Sequence, residues 1–377
     1  MSNARKLAAK LPTEGQLSNR RININGAMQV AQRGGARTVS DGGAEGYQTL
    51  DRWYALFSSS AGGVATISQD TTVPSGYGFS NSYKVDVATA DTSIDANHAI
   101  TIQYRFEAQD IRNSGWDYTN SNSNMSVSFW ARSVKAGTYC VFFYTHDGTS
   151  KNLVQEYTLE ANTWKNVKLT FKGDSGISFN DDNGLGLTVG WALVAGSNRY
   201  QSVTAGTWIT GSTGNGQARY ATSNQVNFFD NTANNFFLTG VQIEVGSQST
   251  PFEHRSYGDE FLRCCRYYYS LKGQDEKGQG GKHIGGGVMR FATGFYGFPV
   301  TFPAPMRAVP TLTYANITPY VGDASNGYAT VSIAAGNTDN FAINGSNSAI
   351  SGASAGSAVL LYLGTDANHY LRWDAEL

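Results

Sequence analysis

The sequence predicts an all-β protein: a jelly-roll-like sandwich, followed by a smaller C-terminal β-sandwich and preceded by a short helical arm. Composition gives the first observation, because 43 of the 377 residues are glycine and 12% are aromatic, as expected where many turns join aromatic-rich strands. The second is a series of short apolar segments separated by turn clusters such as GDSG and STGNG. Third, the stretch from residue 19 to residue 255 holds no sustained helical period.

Residues 1–20 form the predicted arm. Ser2 can cap a short helix, alanine and lysine favour it, and Pro12 ends it, so a helix is predicted over residues 2–11. A helix of this length buries little surface by itself. We expect it either to dock on a neighbouring protein, as an anchor or an oligomer contact, or to fray as a free tail.

Residues 21–256 are predicted to form the jelly-roll-like sandwich. Apolar and polar residues alternate over residues 22–25, a turn is expected at Asn25 and Gly26, and a strand is expected over residues 28–35. Another strand is expected around Trp53. Further strands are predicted over residues 83–87, 99–106, 125–133, 139–145, 164–171, 185–195, 225–229 and 236–245. Short strands at this spacing are typical of a sandwich or a barrel.

Residues 257–287 are predicted to connect this sandwich to the next. Residues 259–270 favour one helical turn or an edge strand, and GQDEKGQGGKHIGGG is expected to be a flexible glycine-rich loop. Residues 288–377 then predict a smaller β-sandwich. Its strands are expected over residues 289–298, 299–302, 328–334, 340–344, 358–363 and 370–374.

Charge and cysteine content argue against several classes of protein. With 28 Lys and Arg against 29 Asp and Glu, the chain has no overall field that would attract nucleic acid or a membrane surface. No apolar run approaches the ~20 residues that a membrane helix needs, and the N-terminus lacks the apolar segment of a signal peptide. Cys140, Cys264 and Cys265 lack the spacing of a disulfide framework or a zinc site, so reduced, buried thiols are expected.

No catalytic residue, metal ligand or cofactor site is predicted. The histidines do not form a metal-binding pair such as HExxH, and no nucleophile elbow precedes a helix. Asp181 and Asp182 point to opposite faces if they are extended, whereas in a turn DDNG is either a plain turn or a calcium loop. Two carboxylates can still meet across a sheet without any signal in the sequence, so a glycan hydrolase stays as an alternative.

Exposed aromatic side chains are the candidates for binding. Sugars are held by aromatic rings that cover their apolar faces and by side chains that give directional hydrogen bonds. For each candidate, core packing or a subunit contact is the competing interpretation. The loop-like candidates are Trp116, Tyr118, Tyr200 and Trp208 in the first sandwich, and Tyr320, Tyr328, His369 and Tyr370 in the second. The tryptophans within strand patterns are expected in the core: Trp53, Trp130, Trp164 and Trp191.

Three motifs follow one another along the chain. The first is INGAMQVAQRG with a later DRW, at residues 24–34 and 51–53; the second is QIEVGSQSTPFEHR with a later CRYYY, at residues 242–255 and 265–269. The third is FPAPMRAVPTLT, at residues 302–313. In this order the motifs resemble a family of tail-fibre and virion structural proteins of short-tailed bacteriophages that infect marine bacteria.

The resemblance implies a virion tail protein, assembled in the host cytoplasm, with a middle domain like a carbohydrate-binding module. It implies a homotrimer that contacts other tail or adaptor proteins and binds host surface polysaccharide or lipopolysaccharide weakly and multivalently, without enzymatic activity. Residues 288–377 are then expected to be the receptor-binding tip. Two alternatives remain: a structural adaptor that joins tail or capsid to another fibre, and a glycan-degrading tailspike enzyme.

Overall fold

The computed structural model describes residues 19–43, 45–58, 62–210, 220–273, 281–321, 324–325, 330–346, 353–365 and 368–377. The chain divides into two compact units, Met1–Glu260 with Leu377 and Phe261–Glu376. The helix predicted over residues 2–11 lies outside the described residues.

The first unit is a sandwich of two antiparallel sheets. Its strands are β1 Arg37–Val39, β2 Gly46–Tyr47, β3 Trp53–Ser58, β4 Val64–Asp70, β5 Ser82–Thr89, β6 Ala99–Glu107, β7 Asn124–Ser133, β8 Gly137–Thr145, β9 Lys151–Leu159, β10 Lys165–Lys172, β11 Leu185–Ala195, β12 Ile209–Thr210 and β13 Asn235–Val245. In the described part, one sheet has the order β1-β4-β5-β13-β7-β10, and the other β12-β9-β8-β11-β6-β3-β2. Within the described residues, two short helices accompany them, α1 Ala108–Arg112 and α2 Ser197–Tyr200.

The core lies between these two sheets because alternate residues of each strand point inward. In β3, Trp53, Ala55 and Phe57 are buried while their neighbours are half-buried. The ring of Trp191 packs 5.5 Å from that of Trp53 and 5.6 Å from that of Phe129, measured between centroids. The predicted all-β, jelly-roll-like sandwich is confirmed.

The segment before β1 differs from its prediction. Residues 22–25 and 28–35 form no regular strand, because Asn25 (φ 55°) and Met28 (φ 57°) are left-handed. The Asn23 side chain replaces a strand ladder, since its amide donates to Val241 O and accepts from Ile243 N, both at 2.9 Å. A Cβ at Gly26 would lie 2.0 Å from Val241 O, so the ING motif permits close packing against β13.

Three further stretches of the first unit also differ from prediction. Strands β4 and β9 were not predicted, and the expected strand over residues 225–229 is absent. There a 3₁₀ helix, Phe228–Asp230, begins after Asn227, whose side chain accepts the Phe229 N–H. A side chain that offers the backbone such a bond favours a turn over a sheet ladder.

The second unit is also a β structure. Helix α3, Tyr257–Cys265, leads into β14 Tyr268–Lys272, β15 Lys282–Phe291, β16 Gly294–Thr301, β17 Thr311–Ala315, β18 Ile317–Val321, β19 Ala324–Ser325, β20 Thr330–Gly336, β21 Asn340–Ser346, β22 Ala358–Leu363 and β23 Tyr370–Asp374. Within the described residues, the sheet orders are β14-β23-β17 and β19-β18-β22-β15-β16-β21-β20. Buried side chains such as Trp373, Leu361 and Ile317 form its core.

Part of the predicted glycine-rich connector is a strand. Lys282 to Gly287 belong to β15, where Gly285, Gly286 and Gly287 pair with Leu361, Leu360 and Val359 of β22. Pairing along β22 therefore overrides the local preference of glycine for loops.

The three cysteines are buried, and none of them is in a disulfide bond. Burial raises the pKa of the Cys140 thiol to about 11, which keeps it protonated and unreactive at neutral pH. Among the described residues, no helix has both the length and the apolar character needed to cross a membrane.

Candidate functional site

A groove of about 560 Å³ lies on the outer face of the six-stranded sheet. Strands β7 and β10 form its floor, the segment between β4 and β5 forms one wall, and the segment after β13 forms the other. It therefore combines a rigid sheet surface with two connecting segments, the usual construction of a binding site.

The floor follows from the alternation of side chains along β7 and β10. Phe129 of β7 and Val167 of β10 are buried in the core, so their neighbours point to the outer face. Register pairs Trp130 with Asn166 and Ser128 with Lys168. The floor is thus a grid of four side chains, with one indole ring, one amide, one hydroxyl and one ammonium group.

The first wall carries Tyr77 and Phe79. Tyr77 is 53% exposed, and its ring centroid lies 4.3 Å from that of Trp130 with the planes tilted by 46°. The two rings form an open aromatic platform. Gly76 (φ 83°) and Gly78 (φ 75°) turn the chain where other residues would be strained. Phe79 is buried and packs edge-on against Phe252 of the opposite wall at 5.0 Å.

The second wall is held from beneath by buried polar bonds. Glu244 accepts hydrogen bonds from the backbone N–H and from the hydroxyl of Thr250, both at 2.7 Å. Gln242 accepts the Glu253 N–H at 2.7 Å. These bonds fix the segment that places Phe252 and His254 along the groove. The site is consequently preorganised on both sides.

Polar groups of the groove are available for a ligand. In the part of the chain that the structure describes, the side chains of Ser128, Trp130, Asn166 and Lys168 make no hydrogen bond or ion pair with protein groups, and neither does the hydroxyl of Tyr77. The groove therefore offers an indole N–H, an amide, two hydroxyls and an ammonium group beside two aromatic faces.

The outer face of the seven-stranded sheet of the first unit also carries aromatic side chains, but several of its polar groups have protein partners. The Arg105 guanidinium stacks 3.6 Å from the centroid of the Tyr54 ring and donates to Gln103. His146 Nε2 lies 2.9 Å from Thr188 Oγ1, and burial, with Arg105 nearby, lowers its pKa to about 4. Because these groups already bond within the protein, this face is a weaker candidate than the groove.

Among the predicted residues of the first unit, Trp116 is a core residue, which corrects its placement on an exposed loop. It is 3% exposed, and its ring meets those of Phe143 and Phe179 edge-on or tilted. Tyr118 is half-buried and packs edge-on against Phe179 at 4.9 Å. Trp116 lies in the apolar core of the sandwich, and Tyr118 packs against that core.

The other two candidates of the first unit are also partly engaged. Trp208 is half-buried and donates its indole N–H to Lys172 O at 2.8 Å. Tyr200 is half-buried and packs against a small apolar cluster around Phe142 and Val154. Neither lines the groove.

The candidates of the second unit do not form one described cluster. Tyr320 is half-buried and meets the Tyr362 ring edge-on at 5.6 Å. His369 is buried, and the Tyr370 ring is covered by the Arg372 guanidinium at 3.6 Å from its centroid. Tyr328 lies outside the described residues. A cavity of about 240 Å³ elsewhere in this unit is lined by Tyr269, Lys282, His283 and six other residues.

Sequence reasoning missed the groove because it assigned Trp130 to the core. Trp53 and Trp191 are fully buried, as expected, but Trp130 and Trp164 are only half-buried. The signal was present, since Trp130 has the opposite parity to Val127, Phe129 and Ala131 on β7. Tyr77 had only a weaker signal, a tyrosine flanked by glycines.

The DDNG segment shows side-chain bonds typical of a turn. Asp182 Oδ1 accepts the Gly184 N–H at 2.9 Å, and Asp181 accepts from the Asn113 amide at 3.1 Å. Within the described residues, no group of three or more His, Cys, Asp or Glu side chains could hold a metal ion.

Comparisons with known proteins give structural likenesses at low identity. No family model matches the chain, and no curated protein matches it. It is similar to the enzymatically active domain of tailspike protein 4 of bacteriophage CBA120, at 11% identity and a TM-score of 0.31, over 60% of this chain and 21% of that one. It is also similar to a family 11 carbohydrate-binding module from Clostridium thermocellum in complex with a β-1,3-1,4-mixed-linked tetrasaccharide, at 13% identity and a TM-score of 0.27, over 58% and 98%. A third similar structure is a protein named CBM4, at 14% identity and a TM-score of 0.27, over 59% and 99%.

The chain thus spans about a fifth of the length of the tailspike domain.

Proposed function

We propose that the protein is a fibre component of a phage virion and adsorbs to host surface glycans through the groove on its six-stranded sheet. The observation that carries the proposal is the open platform of Tyr77 and Trp130 beside unpartnered polar side chains. The order of the three sequence motifs supports the viral context.

The platform suits a pyranose ring in shape and chemistry. One face of a sugar is lined by C–H groups, which pack on aromatic rings, while its hydroxyls need directional partners at the edge. Trp130 and Asn166 are cross-strand neighbours, so an amide lies beside the stacking surface. Tyr77 adds a second ring and Ser128 a hydroxyl.

The lining of the groove favours binding over hydrolysis. Glycoside hydrolysis ordinarily uses two carboxyl groups that flank the scissile bond. The groups lining this groove are aromatic rings, an amide, hydroxyls, an ammonium, an imidazole, a proline and glycines. The nearby carboxylate of Glu244 is buried beneath the wall, where Thr250 donates to both of its oxygens.

A shallow groove of this kind gives weak single-site binding, and a virion compensates by presenting many copies. We propose a homotrimer joined to other tail or adaptor proteins, assembled in the host cytoplasm and carried in the virion tail. Three linked grooves, repeated over several fibres, raise the avidity well above the affinity of one site. The glycan is then a host polysaccharide or lipopolysaccharide.

Replacing Trp130 by alanine tests the site. Trp130→Ala and Tyr77→Ala should weaken binding to a glycan array and to polysaccharide extracted from marine bacteria by roughly tenfold, because each removes a stacking ring. Trp164→Ala is the matched control, since Trp164 is half-buried against Phe237 and does not line the groove. Titration calorimetry measures the affinity, and a thermal melt checks that each variant is folded.

The outcomes separate the alternatives. Unchanged binding in both groove variants would place the sugar site elsewhere. A protein that binds tail proteins but neither glycans nor cells is an adaptor. Oligosaccharides released during hours of incubation with the polysaccharide would identify a hydrolase.

A further inference from the structure

The groove carries one formally charged side chain among its lining residues, Lys168. It projects from the floor on the exposed face of β10. Among the described residues it forms no ion pair or hydrogen bond. A long cationic side chain left without a protein partner inside a binding groove is free to pair with a ligand.

The carboxylates closest in sequence to the second wall already have protein partners. Both oxygens of Glu244 accept from Thr250. Glu253 accepts the backbone N–H of Arg21 at 2.9 Å and pairs with the Arg255 guanidinium at 3.3 Å. Neither acid lines the groove, so the charge of Lys168 is not neutralised from this side.

Lys84 and Arg132, two other cations on the same face of the sheet, have partners. Lys84 pairs with Asp86 at 2.9 Å. Arg132 donates to the carbonyl and to the side chain of Asn162 and covers the Phe237 ring at 5.3 Å from its centroid. Lys168 differs from Lys84 and Arg132 because it lines the groove and makes no hydrogen bond or ion pair with the described residues.

Sheet geometry places Lys168 within reach of a stacked sugar. Ser128 lies opposite Lys168, and Trp130 lies opposite Asn166, so Trp130 and Lys168 are diagonal neighbours on one face. Such residues are roughly 7–8 Å apart. A pyranose on the Trp130 ring, or the next sugar along the chain, can therefore present a substituent to the Lys168 ammonium.

We infer that the groove selects anionic glycans and that Lys168 binds a carboxylate, sulfate or phosphate substituent of the sugar held on Trp130. The inference rests on the proposed glycan site and names its substrate class. A charge-assisted hydrogen bond at the edge of a stacking surface gives selectivity that the aromatic rings alone lack.

Polymers that differ only in charge test the inference. Alginate, polygalacturonate and hyaluronan are compared with their carboxyl-reduced forms, and carrageenan with its desulfated form, by affinity electrophoresis at low and at physiological salt. The full-length protein should bind at least one charged polymer roughly 3- to 10-fold more tightly than its uncharged form, with a smaller preference at higher salt. The carboxylate and sulfate arms identify which anion is preferred.

Variants assign the preference to one side chain. Lys168→Gln should abolish the preference while leaving weak binding to the uncharged polymer, and Lys168→Arg should retain it. Lys165→Gln is the matched control, because it removes the same charge from the same strand, where Lys165 Nζ donates to Thr158 outside the groove. Equal binding of charged and uncharged forms by the unaltered protein, or an unchanged preference in Lys168→Gln, overturns this inference. Neither outcome contradicts the proposed glycan binding. If no glycan binds in either form, the proposed function fails with it.

Discussion

Glu260 shows how single residues of the sequence motifs stabilise the first unit. Its carboxylate accepts from the Arg21 guanidinium and from the Asn25 backbone N–H, and Arg255 Nη1 lies 3.6 Å from Glu260 Oε1. The side chains of Arg21 and Glu260 are 1% and 3% exposed. Burial lowers the pKa of Arg21, opposed by the charge of Glu260. The Glu260 carboxylate thus compensates Arg21 and, together with Glu253, Arg255.

Glu260→Gln should destabilise the protein markedly. The variant keeps the shape of the side chain but leaves the buried Arg21 guanidinium without its anion, at a cost of about 3–5 kcal/mol in the free energy of unfolding. Urea denaturation followed by circular dichroism measures the change. Glu160→Gln is the control, since Glu160 is exposed. The free energy of unfolding of this variant should stay within about 0.5 kcal/mol of that of the unaltered protein. A loss below 1 kcal/mol for Glu260→Gln would contradict the assigned role.

At the residue scale, the sequence is a good guide to burial where alternation is strict and a poor one in loops. Trp53 and Trp191 were expected in the core and lie there. Trp116 was a loop-like binding candidate with core packing as the competing interpretation, and it is buried, since long-range packing against Phe143 and Phe179 decides its position. Such contacts join residues far apart in the chain, and local pattern cannot show them.

At the element scale, the strands of the sandwich follow the predicted alternation, and the exceptions have local causes. Strand β9 escaped prediction because Gln155 and Glu156 interrupt its apolar pattern. Residues 22–25 and 28–35 were expected to be extended on either side of a turn at Asn25 and Gly26, but the Asn23 and Asn25 side chains bond the backbone in place of a neighbouring strand. The groove could not be predicted as a unit, because its floor and walls meet only when distant strands pair.

The irregularity in β13 gives an element-scale prediction. The register shifts between Thr239 and Gln242, and Gly240 has a φ of 60°. A Cβ on Gly240 would lie 2.5 Å from Phe79 Cζ. Gly240→Ala should therefore lower the free energy of unfolding by about 2–4 kcal/mol and weaken glycan binding, because both the backbone and the groove wall are strained.

Gly115→Ala separates these two contributions. Gly115 also has a positive φ, 85°, but a Cβ there meets nothing within 4 Å. The Gly115→Ala variant should lose only about 1 kcal/mol in the free energy of unfolding, which is the cost of the left-handed backbone, and should bind glycans normally. Equal losses for the two variants would show that the contact with Phe79 has no energetic effect.

At the scale of the whole molecule, the second unit exposes apolar side chains on neighbouring strands. Val288 of β15 is 53% exposed and Leu360 of β22 is 46% exposed, and Leu360 pairs with Gly286, two residues before Val288. Exposed apolar surface of this kind is expected to be covered by a further chain in an oligomer.

The full-length protein should sediment with three times the mass of one chain, in keeping with the proposed homotrimer. Leu360→Lys should shift it towards the monomer, because a charge would be buried at the contact. Val309 is 62% exposed and lies outside the seven-stranded sheet of the second unit, so Val309→Lys should leave the mass unchanged. A single-chain mass for the unaltered protein at micromolar concentration would argue against the trimer.

The side chains of the groove floor point away from the core, and this has an evolutionary consequence. Trp130, Asn166 and Lys168 face away from the core, and Tyr77 belongs to a connecting segment, so none of them is needed to fill the interior of the sandwich. Substitutions at these positions should exchange one sugar specificity for another at little cost in stability. Under the proposed function, a phage lineage could then change its host range through substitutions at these few surface positions while the rest of the particle stays the same.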